Sequence, residues 1–233
     1  MLSTLILIPA YNEAASIERV VAETRRLWGS PVVVIDDCST DATGNIARAA
    51  GALVLRLPLQ LGAWGATQTG LRFAHRGGWQ RVVTIDADGQ HDPRGISNLI
   101  APLAAGHADV VIGACPSRVS TARRIAWCYF RWLSGISLDD LTSGFRAYGR
   151  TAIERLIAPD ATLLDYQDIG VLLILRRHGL RVREVPVSMQ PRASGKSHVF
   201  DSWWNVGRYM LLTSLLILAR IGRVEDRDAV DDA

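Results

Sequence analysis

The sequence predicts an α/β fold, a Rossmann-like and mostly parallel sheet with helices on both faces. Short β-branched runs alternate with helix-like stretches along the first half of the chain. Polar and glycine residues mark the points where helices begin and end. A length of 233 residues with 48% hydrophobic content is enough to fill the core of one such domain. Alternation of this kind is typical of parallel strands joined by crossover helices.

Each element has its own pattern. The apolar runs predict strands, and the stretches between them predict helices, over these ranges: strands at 5–8, 32–35, 53–57, 82–85 and 110–112, helices at 14–28, 41–50, 63–76 and 94–105. Asp92 followed by Pro93 predicts an N-cap with proline at the first helical position, and residues 39–41 offer further cap oxygens. Gly51 and Gly106 stand where helices are expected to end.

Composition excludes several classes of protein. The net charge of +3 is small, and no zinc-finger, helix-turn-helix or RRM signature indicates a nucleic-acid partner. Cys38, Cys115 and Cys128 are odd in number and show no CxxC pairing, which favours reduced, packed thiols in the cytoplasm. The first apolar run is too short for a signal peptide. The uncharged stretch between Arg208 and Arg220 is shorter than the roughly 20 residues that a membrane-spanning helix needs.

Two carboxylates, Asp86 and Asp88, follow the fourth predicted strand. Ligands of open α/β sheets bind beyond the carboxyl ends of the strands. Two carboxylates there repel each other unless a cation joins them, and Mg²⁺ or Mn²⁺ with the amide of Gln90 would neutralise a diphosphate. A role that only ends the strand is disfavoured, because Asp92 already supplies the next cap. His91 is either a third ligand or a turn residue, and we favour the turn residue.

The second half of the chain carries basic and aromatic residues beside apolar segments. Residues 110–138 contain no Asp or Glu, yet four arginines alternate with four aromatic residues there: Arg118, Arg123, Arg124 and Arg131, with Trp127, Tyr129, Phe130 and Trp132. A second region of this kind runs over 192–218. Such segments are typical of elements that lie at a membrane interface.

Four motifs occur in a meaningful order: residues 9–13 (Pro-Ala-Tyr-Asn-Glu), 36–41 (Asp-Asp-Cys-Ser-Thr-Asp), 86–91 (Asp-Ala-Asp-Gly-Gln-His) and 140–146 (Asp-Leu-Thr-Ser-Gly-Phe-Arg). The combination resembles the family 2 glycosyltransferases with the GT-A fold. It is most similar to the branch of dolichyl-phosphate mannose synthase and the bacterial polyprenyl-phosphate glycosyltransferases. The resemblance covers roughly residues 4–200, a span consistent with one domain.

The resemblance implies a donor-nucleotide site made of six residues and a metal site made of three: Pro9, Tyr11, Glu13, Asp37, Gly62 and Asp86 for the nucleotide, and Asp86, Asp88 and Gln90 for Mg²⁺ or Mn²⁺. In it Asp37 accepts the ring N–H of the base. From the residues alone, Asp36 and Asp37 are equally ordinary turn and cap residues, and Glu13 a first-turn helix acid. The family usually has Asn where Gln60 stands and a small or basic residue near Trp64, which leaves Trp64 as either a sugar-pocket or a helix-packing residue.

The resemblance also implies an acceptor and phosphate site and three catalytic residues: Arg118, Ser143, Arg192 and Lys196 for the phosphate, and Asp88, Arg146 and Asp168 for catalysis. Arginine and lysine are the usual partners of phosphate. A lipid phosphate is already anionic at neutral pH, so it needs no strong general base. We therefore expect Asp168 to orient the acceptor and not to abstract a proton.

The sequence thus predicts an inverting, metal-dependent transfer of a hexose from a nucleotide sugar (GDP-mannose or UDP-glucose type) to a polyprenyl or dolichyl phosphate at the cytosolic membrane face. The expected domains are a glycosyltransferase domain over 1–198 (nucleotide half 1–113, acceptor half 114–198), an interfacial amphipathic helix over 199–222 and an acidic disordered tail over 223–233. Relatives often carry C-terminal transmembrane helices, so 199–222 is expected to lie on the membrane or on a separate integral membrane partner. Self-association stays open.

Two alternatives remain. A family 2 glycosyltransferase acting on a saccharide hydroxyl would need Asp168 as an essential base and would not depend on lipid. An inactive transferase-like membrane-complex subunit is disfavoured by the presence of Asp86, Asp88, Gln90 and Arg146.

Overall fold

The computed structural model describes residues 4–115, 121–134, 136, 138, 140, 143–162, 169–190 and 214, with the backbone alone for 121–126 and 134. Within these residues there are seven strands: β1 (Thr4–Ala10), β2 (Val32–Asp36), β3 (Leu53–Arg56), β4 (Arg81–Thr84), β5 (Val110–Ala114), β6 (Arg146–Gly149) and β7 (Val182–Pro186). The helices of the same part of the chain are α1 (Ile17–Trp28), α2 (Thr43–Ala49), α3 (Gly62–Arg76), α4 (Ile96–Ala104), α5 (Thr121–Ser134), α6 (Arg150–Leu156), α7 (Pro159–Thr162) and α8 (Ile169–Arg177).

All seven strands form one sheet in the order β3-β2-β1-β4-β6-β5-β7. β1 pairs in parallel with β2 on one side and with β4 on the other. β6 is antiparallel to both of its neighbours, β4 and β5. The α/β prediction of a mostly parallel sheet is therefore confirmed, and each of the five predicted strands is present within a few residues of its expected bounds.

The core lies on both faces of this sheet, because alternate residues of β1 and β2 point to opposite sides. One face packs under α3, α6 and α8 and includes Leu5, Leu7, Val33, Ile35, Leu71, Ile153 and Leu172. The other packs under α1, α2 and α4 and includes Ile6, Ile8, Val32, Val34, Val21, Ala47 and Leu99. The helices thus cover both faces, as the alternation of apolar runs and helix-like stretches predicts.

The predicted cap at Asp92 is also observed. Its Oδ1 accepts a hydrogen bond from the backbone N–H of Arg94 at 2.9 Å, and Pro93 occupies the first position of a single 3-10 turn that leads into α4. The cap therefore starts with a 3-10 turn, where the sequence predicts regular helix from residue 94.

Trp64 is a packing residue on α3. Only 2% of it is exposed, and its indole Nε1–H donates to the carbonyl oxygen of Ala161 at 2.7 Å. Of the two roles that the sequence leaves open, the structure supports helix packing against α7 and not a place at the rim of a sugar pocket.

We expect Trp64→Phe to lower the free energy of unfolding by about 1–3 kcal/mol, because the buried Ala161 carbonyl loses its donor. Chemical denaturation measures this change. Trp132→Phe is the control, since Trp132 is 79% exposed and the same substitution there costs little. Equal effects of the two substitutions would contradict the assignment.

The cysteines only partly follow the sequence prediction. Cys38, Cys115 and Cys128 are all free thiols. Cys38 and Cys115 are partly buried, whereas Cys128 is exposed on α5. A packing role is therefore wrong for Cys128.

The outer face of α5 presents large aromatic side chains. Trp132 is 79% exposed and Tyr129 is 38% exposed. The hydroxyl of Tyr129 lies 3.0 Å from Oγ of Ser214, which connects α5 to the one described residue of the C-terminal region. Otherwise the predicted helix over 199–222 and the acidic tail lie outside the described residues. No helix in the described part of the chain has the length and apolar character to cross a bilayer.

Candidate active site

The loops after β1 and β2 are joined by hydrogen bonds. Ala10 at the end of β1 pairs with Asp36 at the end of β2, so the two loops begin side by side. The backbone N–H of Asn12 donates to Oγ of Ser39 at 3.0 Å, and Oδ1 of Asn12 accepts from the N–H of Thr40 at 2.8 Å. The two loops therefore form one rigid wall at the carboxyl edge of the sheet.

The predicted nucleotide residues Pro9, Tyr11 and Glu13 lie on this wall. Pro9 and Glu13 are partly buried, and 37% of Tyr11 is exposed. The carboxylate of Glu13 accepts a hydrogen bond from the hydroxyl of Ser16 at 2.8 Å, just before α1. The three side chains share one edge of the sheet, and their contact with a nucleotide stays a prediction.

Asp37 binds the backbone that starts α3. It is 2% exposed, and its two carboxylate oxygens accept from the N–H groups of Leu61 at 2.7 Å and Gly62 at 2.9 Å. Burial raises the pKa of Asp37 above its ordinary value, and Asp36 adds to this, while the two N–H donors act in the opposite direction. Gly62 has a φ of 77°, which favours glycine at this turn. Asp37 thus brings Gly62 to the β2 loop, and its contact with a base stays a prediction.

We expect Asp37→Asn to destabilise the fold by about 1–3 kcal/mol, because an amide NH₂ would face one of the two backbone donors and leave it unsatisfied. Urea denaturation measures the change. Glu18→Gln, an equivalent substitution at an exposed position of α1, serves as the control. A stable Asp37→Asn variant with weakened nucleotide binding would instead assign Asp37 to the ligand alone.

Asp86 and Asp88 lie on the loop after β4, at the same edge of the sheet. Leu7 of β1 pairs with Thr84, and its carbonyl accepts from the N–H of Ile85 at 3.0 Å, so the loop begins beside β1. Oδ1 of Asp88 accepts from the backbone N–H of Gln90 at 3.0 Å across a turn. The side chain of Asp86 is 46% exposed. Carboxylates and a glycine-started helix therefore meet at one edge, as the motif order predicts.

Asp86 contacts a buried histidine. Nε2 of His91 lies 2.9 Å from Oδ2 of Asp86, and the imidazole packs on the ring of Phe145 at a centroid distance of 5.0 Å. Burial lowers the pKa of His91, but the hydrogen bond and charge of Asp86, with the charges of Asp88 and Asp140, raise that pKa overall. Nε2 of His91 is thus engaged by Asp86, and the choice between a metal ligand and a turn residue stays a prediction.

The loop before β6 approaches Asp86 from the other side. A Cβ added at Gly144 would lie 2.8 Å from Cγ of Asp86 and still closer to its Oδ1. The Gly144 carbonyl accepts from the hydroxyl of Thr84 at 2.7 Å. Only glycine therefore leaves Asp86 its observed position.

Ser143 lies in this loop and Arg146 begins β6, and both are buried. Arg146 is 0% exposed, and its Nε–H donates to the carbonyl of Ser143 at 2.7 Å. The hydroxyl of Ser143 accepts from the N–H of Phe145 at 3.3 Å. These contacts shape the loop, and a phosphate contact of either residue stays a prediction. The other predicted residues Asp168, Arg118, Arg192 and Lys196 lie outside the described residues.

The carboxylates fit a divalent ion that arrives together with a diphosphate. In the described part of the chain no three or more His, Cys, Asp and Glu residues form a ready-made metal cluster. Mg²⁺ is commonly held by one or two carboxylates plus substrate phosphates and waters, a set that Asp86, Asp88 and Gln90 can complete with a donor. The three ligands stay a prediction.

Sequence reasoning missed the surroundings of Asp86. Gly144 meets Thr84 and Asp86 from a segment distant in the chain, while His91 turns back to Asp86 from five residues further along. The one available signal is the glycine at position 144 itself, since a glycine within a polar motif indicates a close backbone approach.

Comparison with known proteins identifies the family. The family described as Glycosyl transferase family 2 matches residues 5–157. The undecaprenyl-phosphate mannosyltransferase of Micrococcus luteus is 34% identical, over 83% of this chain and 86% of that protein. The polyprenol monophosphomannose synthase of Mycolicibacterium smegmatis is 30% identical, over 85% and 82%. Glucosyl-3-phosphoglycerate synthase from Mycobacterium tuberculosis, solved with Mn²⁺, UDP and phosphoglyceric acid, superposes with a TM-score of 0.74 at 22% identity, over 94% of this chain and 78% of that chain.

Proposed function

The chain belongs to glycosyl transferase family 2 and is a glycosyltransferase, and we propose that it transfers a hexose from a nucleotide sugar to a polyprenyl phosphate. The transfer depends on Mg²⁺ or Mn²⁺ and inverts the anomeric carbon. It takes place at the cytosolic face of the membrane, where the protein is peripheral.

The observation that carries this proposal is the meeting of three loops at one edge of the sheet. β1 lies between β2 and β4, so the loops with Tyr11, Asp37 and Asp86 all leave the same carboxyl edge. Ligands of parallel α/β sheets bind at such an edge. Carboxylates at such an edge suit a sugar nucleotide, whose diphosphate needs a cation to neutralise its charge.

Two further observations favour a lipid phosphate as the acceptor. The names of the two relatives given above specify polyprenol and undecaprenyl phosphate. In addition, α5 exposes Trp132 and Tyr129 on a segment without acidic residues, and aromatic side chains of this kind favour the interfacial zone of a bilayer. A saccharide acceptor would account for neither observation.

In this reaction the chain's own residues position the donor and stabilise the leaving group. A divalent ion held by Asp86, Asp88 and Gln90 would supply neutralising charge to the diphosphate. Asp37 fixes Gly62 at the start of α3, next to the wall that the loops after β1 and β2 form. The lipid phosphate attacks as an anion, so Asp168 orients it without removing a proton. Rate acceleration then comes from positioning and electrostatic stabilisation.

Purified protein with Mn²⁺ or Mg²⁺, a panel of GDP and UDP sugars, and polyprenyl phosphate in detergent tests the proposal. We expect a glycolipid product from one donor class, and no product after the metal is removed with EDTA. A saccharide product without any glycolipid would favour the hydroxyl acceptor, and no product from any donor would favour the inactive subunit.

A further inference from the structure

We propose that His91 is a positioning residue for Asp86, which it holds in the orientation that the donor diphosphate and its metal ion require. The inference rests on the proposed function and deepens it. It assigns to the histidine of the Asp-Ala-Asp-Gly-Gln-His motif a role distinct from metal ligation.

The contact between His91 and Asp86 joins a buried side chain to a half-exposed one. The side chain of His91 is 2% exposed, whereas the Asp86 carboxylate, 2.9 Å away, is 46% exposed. A half-exposed aspartate is free to rotate unless a fixed donor holds one of its oxygens. The ring of His91 itself packs on the ring of Phe145, which is tilted by 36° with a centroid distance of 5.0 Å. Oδ2 of Asp86 is therefore held from inside the protein, although 46% of the Asp86 side chain is exposed.

The second nitrogen of the ring makes histidine a costly residue at this position. Nδ1 is buried and has no hydrogen-bond partner among the described residues. A buried polar atom without a partner destabilises the folded state. An apolar side chain of similar size would avoid this cost, so the Nε2 contact with Asp86 gives the histidine its purpose.

Gly144 supports the same orientation from the opposite side. Its missing Cβ leaves room for Oδ1 of Asp86, and the hydroxyl of Thr84 holds its carbonyl. His91 and Gly144 thus each contact one oxygen of the Asp86 carboxylate and favour the observed orientation. Partners of this kind typically change metal affinity by about 10–100-fold when they are removed.

His91→Leu and His91→Gln test the inference. Leucine fills similar space without a donor, while the glutamine Nε2 can still reach Asp86. The measurement is the affinity for Mn²⁺, from the EPR signal of free Mn²⁺, in the presence of UDP and separately of GDP, together with urea denaturation of each variant.

We expect His91→Leu to weaken Mn²⁺ binding by about 10–100-fold while stability is unchanged or increased, and His91→Gln to recover most of the affinity. In turnover, His91→Leu should raise the Mn²⁺ concentration for half-maximal rate while kcat at saturating Mn²⁺ changes little. His178→Leu, at an exposed histidine after α8, is the matched control.

Wild-type affinity in His91→Leu, or an equal loss in His91→Gln and His91→Leu, overturns the inference. A protein that binds Mn²⁺ with nucleotide but makes no glycolipid contradicts the proposed acceptor, and the binding data still decide the role of His91. If wild-type protein binds no Mn²⁺ with either nucleotide, both proposals are wrong.

Discussion

Asp88→Asn is expected to lower kcat/KM for glycosyl transfer by about 10²–10³-fold, with the fold unchanged. Asp88 lies two residues after Asp86 on the β4 loop, and its Oδ1 accepts from the N–H of Gln90, so an amide can occupy the same space. The substitution removes a negative charge that a divalent ion needs, and the leaving nucleoside diphosphate loses its stabilisation. Initial rates at several Mn²⁺ concentrations measure the effect.

Asp92→Asn is the control for this substitution. Asp92 stands four residues further along and caps the 3-10 turn before α4, and asparagine is an equally good N-cap. Its activity and stability should match those of the wild type. The opposite pattern, in which Asp168→Asn abolishes turnover with donor binding intact while Asp88→Asn is harmless, would contradict the proposed division of roles.

Local sequence patterns predict the nucleotide half of the fold well. β1, β2 and β4 are apolar runs that are buried over most of their length, and the polar residues that follow them come to one edge because parallel strands share a direction. The motif order is therefore enough to place these polar residues at one edge of the sheet. These residues are close in the sequence to the strands that position them.

β6 shows where this approach stops. Its four residues, Arg-Ala-Tyr-Gly, contain no β-branched residue and no alternation, yet the strand is buried between β4 and β5 and antiparallel to both. Its position in the sheet, which its own pattern does not indicate, brings the 143–146 segment to β4. The contact of Gly144 with Asp86 follows from that pairing, so local patterns could not predict it.

Arg146 shows the same limit from another side. The resemblance to the family implies a catalytic role for Arg146, but the burial of its side chain depends on the strands on either side of it. With β6 in the middle of the sheet, Arg146 is 0% exposed and its Nε–H reaches the carbonyl of Ser143. The motif thus predicts a role for Arg146, but it does not predict the burial and the hydrogen bond of the side chain, which depend on packing.

Gly144→Ala is expected to lower kcat/KM by about 100-fold, because misplacing a reacting or charge-bearing group by about 1 Å has an effect of this size. The new Cβ would lie 2.8 Å from Cγ of Asp86, too close for both groups to keep their places. Asp86 is a half-exposed side chain and can turn away, so the protein should stay folded while the carboxylate leaves His91. Because the buried Nε2 of His91 then loses its partner, the free energy of unfolding should fall by about 1–3 kcal/mol.

Gly149→Ala isolates this effect, because it also adds one methyl group to a glycine, here at the far end of β6. There the nearest atom to the new Cβ is the Asp109 carbonyl oxygen at 3.3 Å, which leaves room for a small shift far from Asp86. Gly149→Ala should thus keep wild-type activity, and Gly144→Ala combined with Asp86→Asn should be no worse than Asp86→Asn alone, since both act on the same carboxylate. Additive losses in the double variant would show that Gly144 acts through another group, and an active Gly144→Ala enzyme would show that the orientation of Asp86 is not required.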